Sequence, residues 1–437
     1  MTGPETIFAL SSGSAMAAVS VIRLSGPSAH LAVADLISGA LPRARQMVLR
    51  TLRDAAGDVL DQSLIVLFDK GASFTGEPMA EIHCHGGVAV VGSILEALGV
   101  RGDCRPAEPG EFTKRALLAG RISITEAEGL SDLVRAETRL QQRQAMSAML
   151  GGVQRKIEEW RAALVRARAL VEVSIDWADE EVPEDVGPEV RDLLSELVKV
   201  FRAEIERGFQ AEKLRNGIEV AIIGPPNVGK SSLLNAIAGR EAAIVSSTAG
   251  TTRDVIEVRY DLNGLLIVFL DTAGLRETED KVEAIGVNRA EERAAMAELR
   301  LHLSSADTDM GEGNGSVRLW QDGDISVWSK ADLGQGERDV SVCSEDRVSV
   351  DHLLDLIWER LSGRSYGEGL LGHERQRQAL EAAVSSLSLC LDRFDAMGAE
   401  EIAEELRSSI SALDRLSGRL GVEDVLDVVF GTFCLGK

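Results

Sequence analysis

The stretch EVAIIGPPNVGKSS, residues 219–232, decides the fold. An apolar run leads into Gly224-x-x-x-x-Gly229-Lys230-Ser231, and the apolar spacing that follows predicts a helix. Strand, glycine loop and helix in that order set backbone N–H groups and a positive helix end around phosphates. Lys230 then reaches the terminal phosphates and the Ser231 hydroxyl ligates magnesium.

Reading downstream, residues 265–270 predict a strand ending in Asp271-Thr272-Ala273-Gly274. Asp271 is placed to hold magnesium through water, and Gly274 to sense the terminal phosphate. Residues 256–262 and the Asn263-Gly264 turn predict a hairpin with that strand. Between loop and hairpin, Ala249-Gly250-Thr251-Thr252-Arg253-Asp254 reads as a switch segment in which a threonine completes the magnesium shell. After residues 324–328 comes Ser329-Lys330-Ala331-Asp332; its carboxylate can accept both guanine N1–H and N2–H, and the lysine stem can lie over the base. Ser341, Val342 and Cys343 complete the expected nucleotide set, with Asn227, Val228, Gly229, Lys230, Ser231 and Ser232 of the loop and Ser246, Ser247 and Thr248 ahead of the switch.

This order points to a GTPase rather than a general ATPase, with two departures. Ser329 stands where asparagine is usual, which removes an amide that braces the phosphate loop; it reads either as lowering nucleotide affinity or, the favoured reading, as a tolerated replacement. Leu275 stands where Ras-type enzymes carry a water-orienting glutamine, so another residue must orient the water; Glu277, Glu279, Asp280 and Glu283 are all candidates by composition.

Upstream, residues 1–118 alternate short β-like runs (19–24, 63–68, 79–84) with turns, as in a compact α+β domain. Apolar residues at 145, 149, 153, 157, 160, 164, 167 and 171 predict one helix face, ending near the acidic segment 176–188. Another helical segment leads to Arg215, and helical rhythm returns at Leu380, Val384, Leu387, Leu391 and Phe394, then Ile402, Leu406, Ile410 and Leu413. Helices on both sides of a different pattern predict a discontinuous all-α domain with an α/β P-loop GTPase (Ras-like) domain inserted. The expected divisions are 1–118, 119–215, 216–364 and 365–437.

Composition sets the remaining bounds. The 437 residues carry five scattered cysteines, Cys84, Cys104, Cys343, Cys390 and Cys434, and no disulfide framework is expected, which implies a reducing, cytoplasmic setting. No apolar run approaches the roughly 18–20 residues of a membrane helix. The net charge of -23 opposes indiscriminate phosphate binding, so nucleic-acid contact must be local. Basic residues gather at Arg101, Arg105, Lys114, Arg115 and Arg121, and again from Arg139 to Arg168, which reads first as solvated helix surface. His83 and His85 share one strand face beside Cys84, but no further zinc ligands stand at suitable spacing.

The whole chain resembles the MnmE (TrmE) family of tRNA-modification GTPases. The specific blocks are Val21-Ile22-Arg23-Leu24-Ser25-Gly26-Pro27; Phe74-Thr75-Gly76-Glu77 with Glu81-Ile82-His83-Cys84-His85-Gly86-Gly87; Pro109-Gly110-Glu111-Phe112-Thr113-Lys114-Arg115-Ala116; and the terminal Phe433-Cys434-Leu435-Gly436-Lys437. The resemblance implies a folate-binding N-terminal domain that dimerises, and a heterotetramer with the flavoprotein MnmG. It implies installation of a carboxymethylaminomethyl or aminomethyl group on C5 of a tRNA wobble uridine, using GTP and a one-carbon unit from 5-formyl- or methylenetetrahydrofolate. It assigns potassium to Asn227, Ser246, Thr248 and Thr251, magnesium to Ser231 and Thr252, and the hydrolytic water to Glu283. It assigns folate to Arg23, Glu81, Arg121 (a lysine in the family) and Lys437, with the C-terminal tail folded back to the first domain. Cys434 reads either as a nucleophile or as a small packing residue.

Two other classes fit the GTPase motifs. A ribosome-assembly switch would carry a compact RNA-binding module after the G domain. A scaffold with a degenerate GTPase is motivated by Ser329 and by the polar stretch 304–316, where a buried strand would be expected.

Overall fold

A computed structural model describes residues 5–13, 16–176, 187–244, 257–271, 292–306, 319–334, 336–363, 366, 369–420 and 436. The chain divides into two compact units. One comprises Met1–Ser131, Met149–Ile157 and Leu413–Lys437; the other comprises Asp132–Ala148 and Glu158–Ala412.

The first unit is built on a six-stranded sheet of order β3-β4-β5-β2-β1-β6. Its strands are β1 (Thr6–Leu10), β2 (Ala17–Ser25), β3 (Val48–Arg53), β4 (Val59–Phe68), β5 (Met79–Gly86) and β6 (Cys104–Pro106). The runs expected at 19–24, 63–68 and 79–84 are the cores of β2, β4 and β5. Alternation sends Ile22, Leu24, Ile65, Leu67, Ala80, Ile82 and Cys84 to one face. There the helices α1 (Ala29–Leu36) and α2 (Val88–Gly99) cover them with Ala32, Val33, Ile94 and Leu98. Among the described residues the opposite face is covered at one end only, where Phe112 of α3 (Glu111–Leu118) packs with Ile7, Ala9 and Met79.

The sequence predicts one continuous helix face from residue 145 to 171, and the structure corrects this. Helices α4 (Ile124–Arg135), α5 (Arg139–Met149) and α6 (Gly152–Asp176) are separate, and α5 and α6 part at Leu150-Gly151. Gly151 sits at φ +78, which breaks the helix without a Cβ penalty. α6 is described as far as Asp176; residues 177–186 of the acidic segment, where its end is expected, lie outside the described residues.

In the second unit, α7 (Gly187–Asn216) runs into β7 (Ile218–Ile223) and then α8 (Lys230–Ala238). The seven-stranded sheet has order β13-β12-β11-β7-β10-β9-β8. Its further strands are β8 (Ala243–Ile244), β9 (Glu257–Leu262), β10 (Leu265–Asp271), β11 (Leu299–Ser304), β12 (Ile325–Ser329) and β13 (Val340–Val342). β10, β7, β11, β12 and β13 are mutually parallel, while β9 is antiparallel to β10. The β9–β10 hairpin turns at Asn263 (φ 53) and Gly264 (φ 94), the paired positive angles that an Asn-Gly turn supplies. β11 ends at Ser304, where the polar stretch begins; residues 307–316 of that stretch lie outside the described residues.

Buried residues of β7, β10, β11 and β12 pack with α8 and α9 (Arg347–Ser362) in one core. Beneath it the Arg300 and Asp324 side chains, 3% and 1% exposed, form an ion pair at 2.9 Å that also takes the His302 ring at 3.0 Å. The later rhythm gives α10 (Glu374–Asp392) and α11 (Ala399–Ser417); Phe394 falls in the turn between them.

Candidate functional site

The parallel sheet places its phosphate loop at the carboxyl end of β7, between β10 and β11, where strand order reverses and ligands of open α/β sheets bind. The loop needs two unusual backbone angles, Asn227 at φ 62 and Gly229 at φ 106, the latter directly before α8. Gly224 lies so close to β11 that a Cβ would meet the Leu303 carbonyl at 2.8 Å. Asn227 is exposed on the loop, whereas Val228 is buried under it.

Lys230 is 7% exposed and donates to the Gly224 and Pro225 carbonyls at 2.7 and 2.9 Å, so its ammonium lies inside the loop. Burial lowers its pKa, and the nearby Asp271 charge partly restores it. The Ser231 hydroxyl donates to Asp271 Oδ2 at 3.0 Å. A hydroxyl and a buried carboxylate converging beside a phosphate loop are hard oxygen donors that suit magnesium.

At the neighbouring strand ends the base-reading element takes shape. Lys330 adopts φ 53, Asp332 is exposed, and the Ala331 N–H donates to the Val342 carbonyl at 3.2 Å, joining this turn to Ser341 and Cys343. Ser349 fixes the latter turn by accepting from Cys343 N at 3.1 Å and donating to its carbonyl. Ser329 lacks the amide of the usual asparagine but still reaches the phosphate loop, in line with its reading as a tolerated replacement. Its buried hydroxyl reaches the Val228 carbonyl at 2.5 Å and the Ser304 carbonyl at 3.0 Å, bracing the loop with a shorter side chain. Sequence reading missed Ser304 and Ser349, whose contributions depend on strand register and leave no motif.

A second polar group occupies the half-open face of the six-stranded sheet. Arg23 of β2 lies directly opposite Glu81 of β5 and donates to its Oε1 through Nε and Nη2 at 3.1 and 2.9 Å, while His83 Nε2 lies 3.3 Å from Glu81 Oε2. The Arg23 guanidinium is 5.9 Å from the Phe112 ring centre. Nearby, Ser25 Oγ lies 2.7 Å from both Thr75 Oγ1 and Glu77 Oε2, and Arg115 joins Glu77 to Glu111 at 3.0 and 2.9 Å. The Arg121 stem runs beside Gly76 of the 74–77 loop, 3.6 Å from where a Cβ would stand. Burial pushes the Glu111 carboxyl up, but hydrogen bonds from Arg105, Glu108 N–H and Arg115 outweigh it and hold the group at about 2.

Much of the first basic cluster is paired: Arg101 with Asp35 and Asp103, Arg105 with Glu5 and Glu111, and Arg115 with Glu77 and Glu111. His85 pairs with Asp61 at 2.7 Å. Gly436 lies against Leu10 and Ser11. Ser246, Ser247, Thr248, Ala249, Gly250, Thr251, Thr252, Thr272, Ala273, Gly274, Glu283, Cys434 and Lys437 lie outside the described residues.

A Gly-x-x-x-x-Gly-Lys-Ser loop with a buried carboxylate beside it, at the carboxyl ends of parallel strands, defines a P-loop GTPase. The family model described as the MnmE helical domain matches residues 124–434, and that described as the GTP-binding protein TrmE N-terminus matches residues 6–121. The chain is 48% identical over 437 residues to the tRNA modification GTPase MnmE of Paracoccus denitrificans (strain Pd 1222), covering 99% of this chain and 100% of that protein. It is 46% identical over 438 residues to the tRNA modification GTPase MnmE of Roseobacter denitrificans (strain ATCC 33942 / OCh 114), with 99% and 100% covered. Among solved structures, the G domain of the T. maritima FeoB iron transporter matches 33% of this chain and 98% of its own at 21% identity, with a TM-score of 0.25. The chain belongs to the MnmE (TrmE) family of tRNA modification GTPases.

Proposed function

We propose that this protein hydrolyses GTP in the service of tRNA modification, at the C5 position of a wobble uridine, with a flavoprotein partner and a tetrahydrofolate one-carbon unit. The observation that carries the hydrolase reading is the Ser231–Asp271 contact beside Lys230 in the loop. In this reading Ser231, Thr252 and Asp271 would hold magnesium, and the ion would neutralise phosphate charge. Lys230 draws on the terminal phosphates, Asp332 reads the guanine edge, and Glu283 orients the water that attacks the γ-phosphorus as its bond to the β-phosphate oxygen breaks. Asn227, with Ser246, Thr248 and Thr251, takes potassium. The exposure of Asn227 on the loop supports this assignment.

The half-open sheet face is the proposed folate site, with Arg23, Glu81, Arg121 and Lys437 as its polar contacts. A pterin offers a donor edge to a carboxylate, and the folate glutamate tail attracts cations. Exposed Val19 (56%), Leu49 (56%) and Leu64 (39%) on that sheet support burial against a second copy in a homodimer. Segments 1–118, 119–215, 216–364 and 365–437 are the proposed domains, in a cytoplasmic protein. Among the described residues no helix is long and apolar enough to cross a membrane.

GTP turnover in potassium against sodium at equal ionic strength tests the reading, with Glu283→Ala alongside. Acceleration by potassium that disappears in the variant supports Asn227 and Glu283 together. Equal rates in both salts favour a slow nucleotide switch instead.

A further inference from the structure

A cavity of about 490 Å³ lies wholly within the second unit, between the end of α4, α5, the last turn of α7 and β9. Two contacts seat α5 against the β9–β10 hairpin. A Cβ on Gly264 would meet Leu140 Cγ at 3.2 Å, and Glu137, just ahead of the helix, accepts from Arg259 Nε of β9 at 2.8 Å. The apolar side chains of the cavity wall are the small Val134, Ala136 and Ala145, so the space suits a polar occupant.

Several polar groups of the wall are already used. Gln141 accepts from Glu137 N and Thr138 N through Oε1 at 2.8 and 3.1 Å, and donates through Nε2 to the Leu214 and Arg215 carbonyls at 3.1 and 3.0 Å. Asp132 Oδ2 lies 2.9 Å from His373 Nε2, and Arg215 Nη1 lies 2.9 Å from His373 Nδ1. A guanidinium only donates, so Nδ1 carries the lone pair and the Nε2 proton goes to Asp132. This relay fixes Arg215 and leaves its Nε buried with no partner among the described residues. Arg259 gives its Nε to Glu137, and neither of its Nη groups has an acceptor among the described residues. The wall therefore still offers donors, on guanidiniums from two different elements. A buried N–H without an acceptor is unfavourable, and an anion with several acceptor oxygens removes that cost.

We propose that this cavity binds a small phosphorylated metabolite with a polar body, of sugar-phosphate size, whose phosphate oxygens accept from Arg215 and Arg259. Guanidinium forks match phosphate oxygens, and both side chains are held from behind, one by Asp132 through His373 and the other by Glu137. Three arginines, Arg135 included, against two carboxylates make a locally cationic wall in a chain of net charge -23. The site shares no residue with the phosphate loop or the base-reading turn. An occupant would join the end of α7 to β9.

The test is calorimetric titration of ribose 5-phosphate and of inorganic phosphate into the full-length protein, with excess GDP filling the nucleotide site. Ribose 5-phosphate should bind the wild type, and Arg259→Gln and Arg215→Gln should each weaken it by about 10-fold or more while GDP affinity stays unchanged. Arg259→Lys keeps the charge beside Glu137 and loses only the fork, so its affinity should fall between; it decides the case if a glutamine variant also loses GDP. No binding to the wild type, or equal affinity in wild type and all three variants, overturns the site. Binding that GDP displaces belongs to the phosphate loop and overturns it as well. Inorganic phosphate held as tightly as ribose 5-phosphate overturns the organic body and leaves an oxyanion site.

Discussion

Ser329 Oγ lies 2.5 Å from the carbonyl oxygen of Val228, across 101 residues of sequence, and ties the base-reading strand to the phosphate loop. The same hydroxyl reaches the Ser304 carbonyl at the end of β11. One side chain therefore ties the ends of β11 and β12 to the phosphate loop. Ser329→Ala removes a buried donor from the Val228 carbonyl, at a cost of about 1–3 kcal/mol. If the loss is confined to the nucleotide-competent loop, GTP affinity should fall roughly 5- to 150-fold, read by fluorescent-nucleotide titration. Unchanged affinity would mean that the brace is redundant.

Asp332 stands exposed on the turn that Ala331 and Val342 join. In Asp332→Asn the carboxylate's pair of acceptors becomes one donor and one acceptor. The variant should lose GTP and gain xanthosine triphosphate. Competition binding with both nucleotides decides the matter: an identical preference before and after removes Asp332 from base reading.

The Glu111 carboxyl, held at about 2 against its ordinary 4.5, links acid stability to the half-open face. A depressed folded-state value stabilises the fold fully above pH 4.5, and that contribution is lost as pH falls towards 2. The shift corresponds to about 3 kcal/mol. Glu111→Gln should therefore unfold at lower denaturant than wild type at pH 7, and the gap should close as the titration descends through this window. A gap independent of pH would assign the loss to packing instead.

Arg300 and Asp324 form their ion pair with almost no exposure. Burial raises the Asp324 pKa, but the Arg300 hydrogen bond and others lower it further, so the carboxylate stays charged. Asp324→Asn leaves a buried guanidinium without its counter-charge and should cost about 3–5 kcal/mol by chemical denaturation. A loss below about 1 kcal/mol would show that water replaces the carboxylate.

The GTPase fold was legible because its signals are local. Apolar strand, glycine loop and helix adjoin in residues 219–232, and the Asn263-Gly264 turn announces its own hairpin. The break at Gly151 was not, because Val153 and Ile157 continue the apolar spacing of α5 while a single left-handed residue redirects the chain. The Arg23–Glu81 pair was identified as a site only by resemblance. Its geometry follows from the register of β2 against β5, which neither strand states alone.

The sequence by itself determined the strand–loop–helix unit, the order of the nucleotide elements and the interruption of a helical pattern by an α/β one, since propensity, periodicity and glycine chemistry act over a few residues. Tertiary structure alone decided that Ser329 still braces the phosphate loop, that Glu81 is shared by Arg23 and His83, and that Gly436 rests on Leu10 and Ser11. Each of those contacts joins residues far apart in the chain or on different strands. A hydrogen bond of 3 Å requires the backbone register to be fixed first, and register is settled by the buried faces of whole sheets.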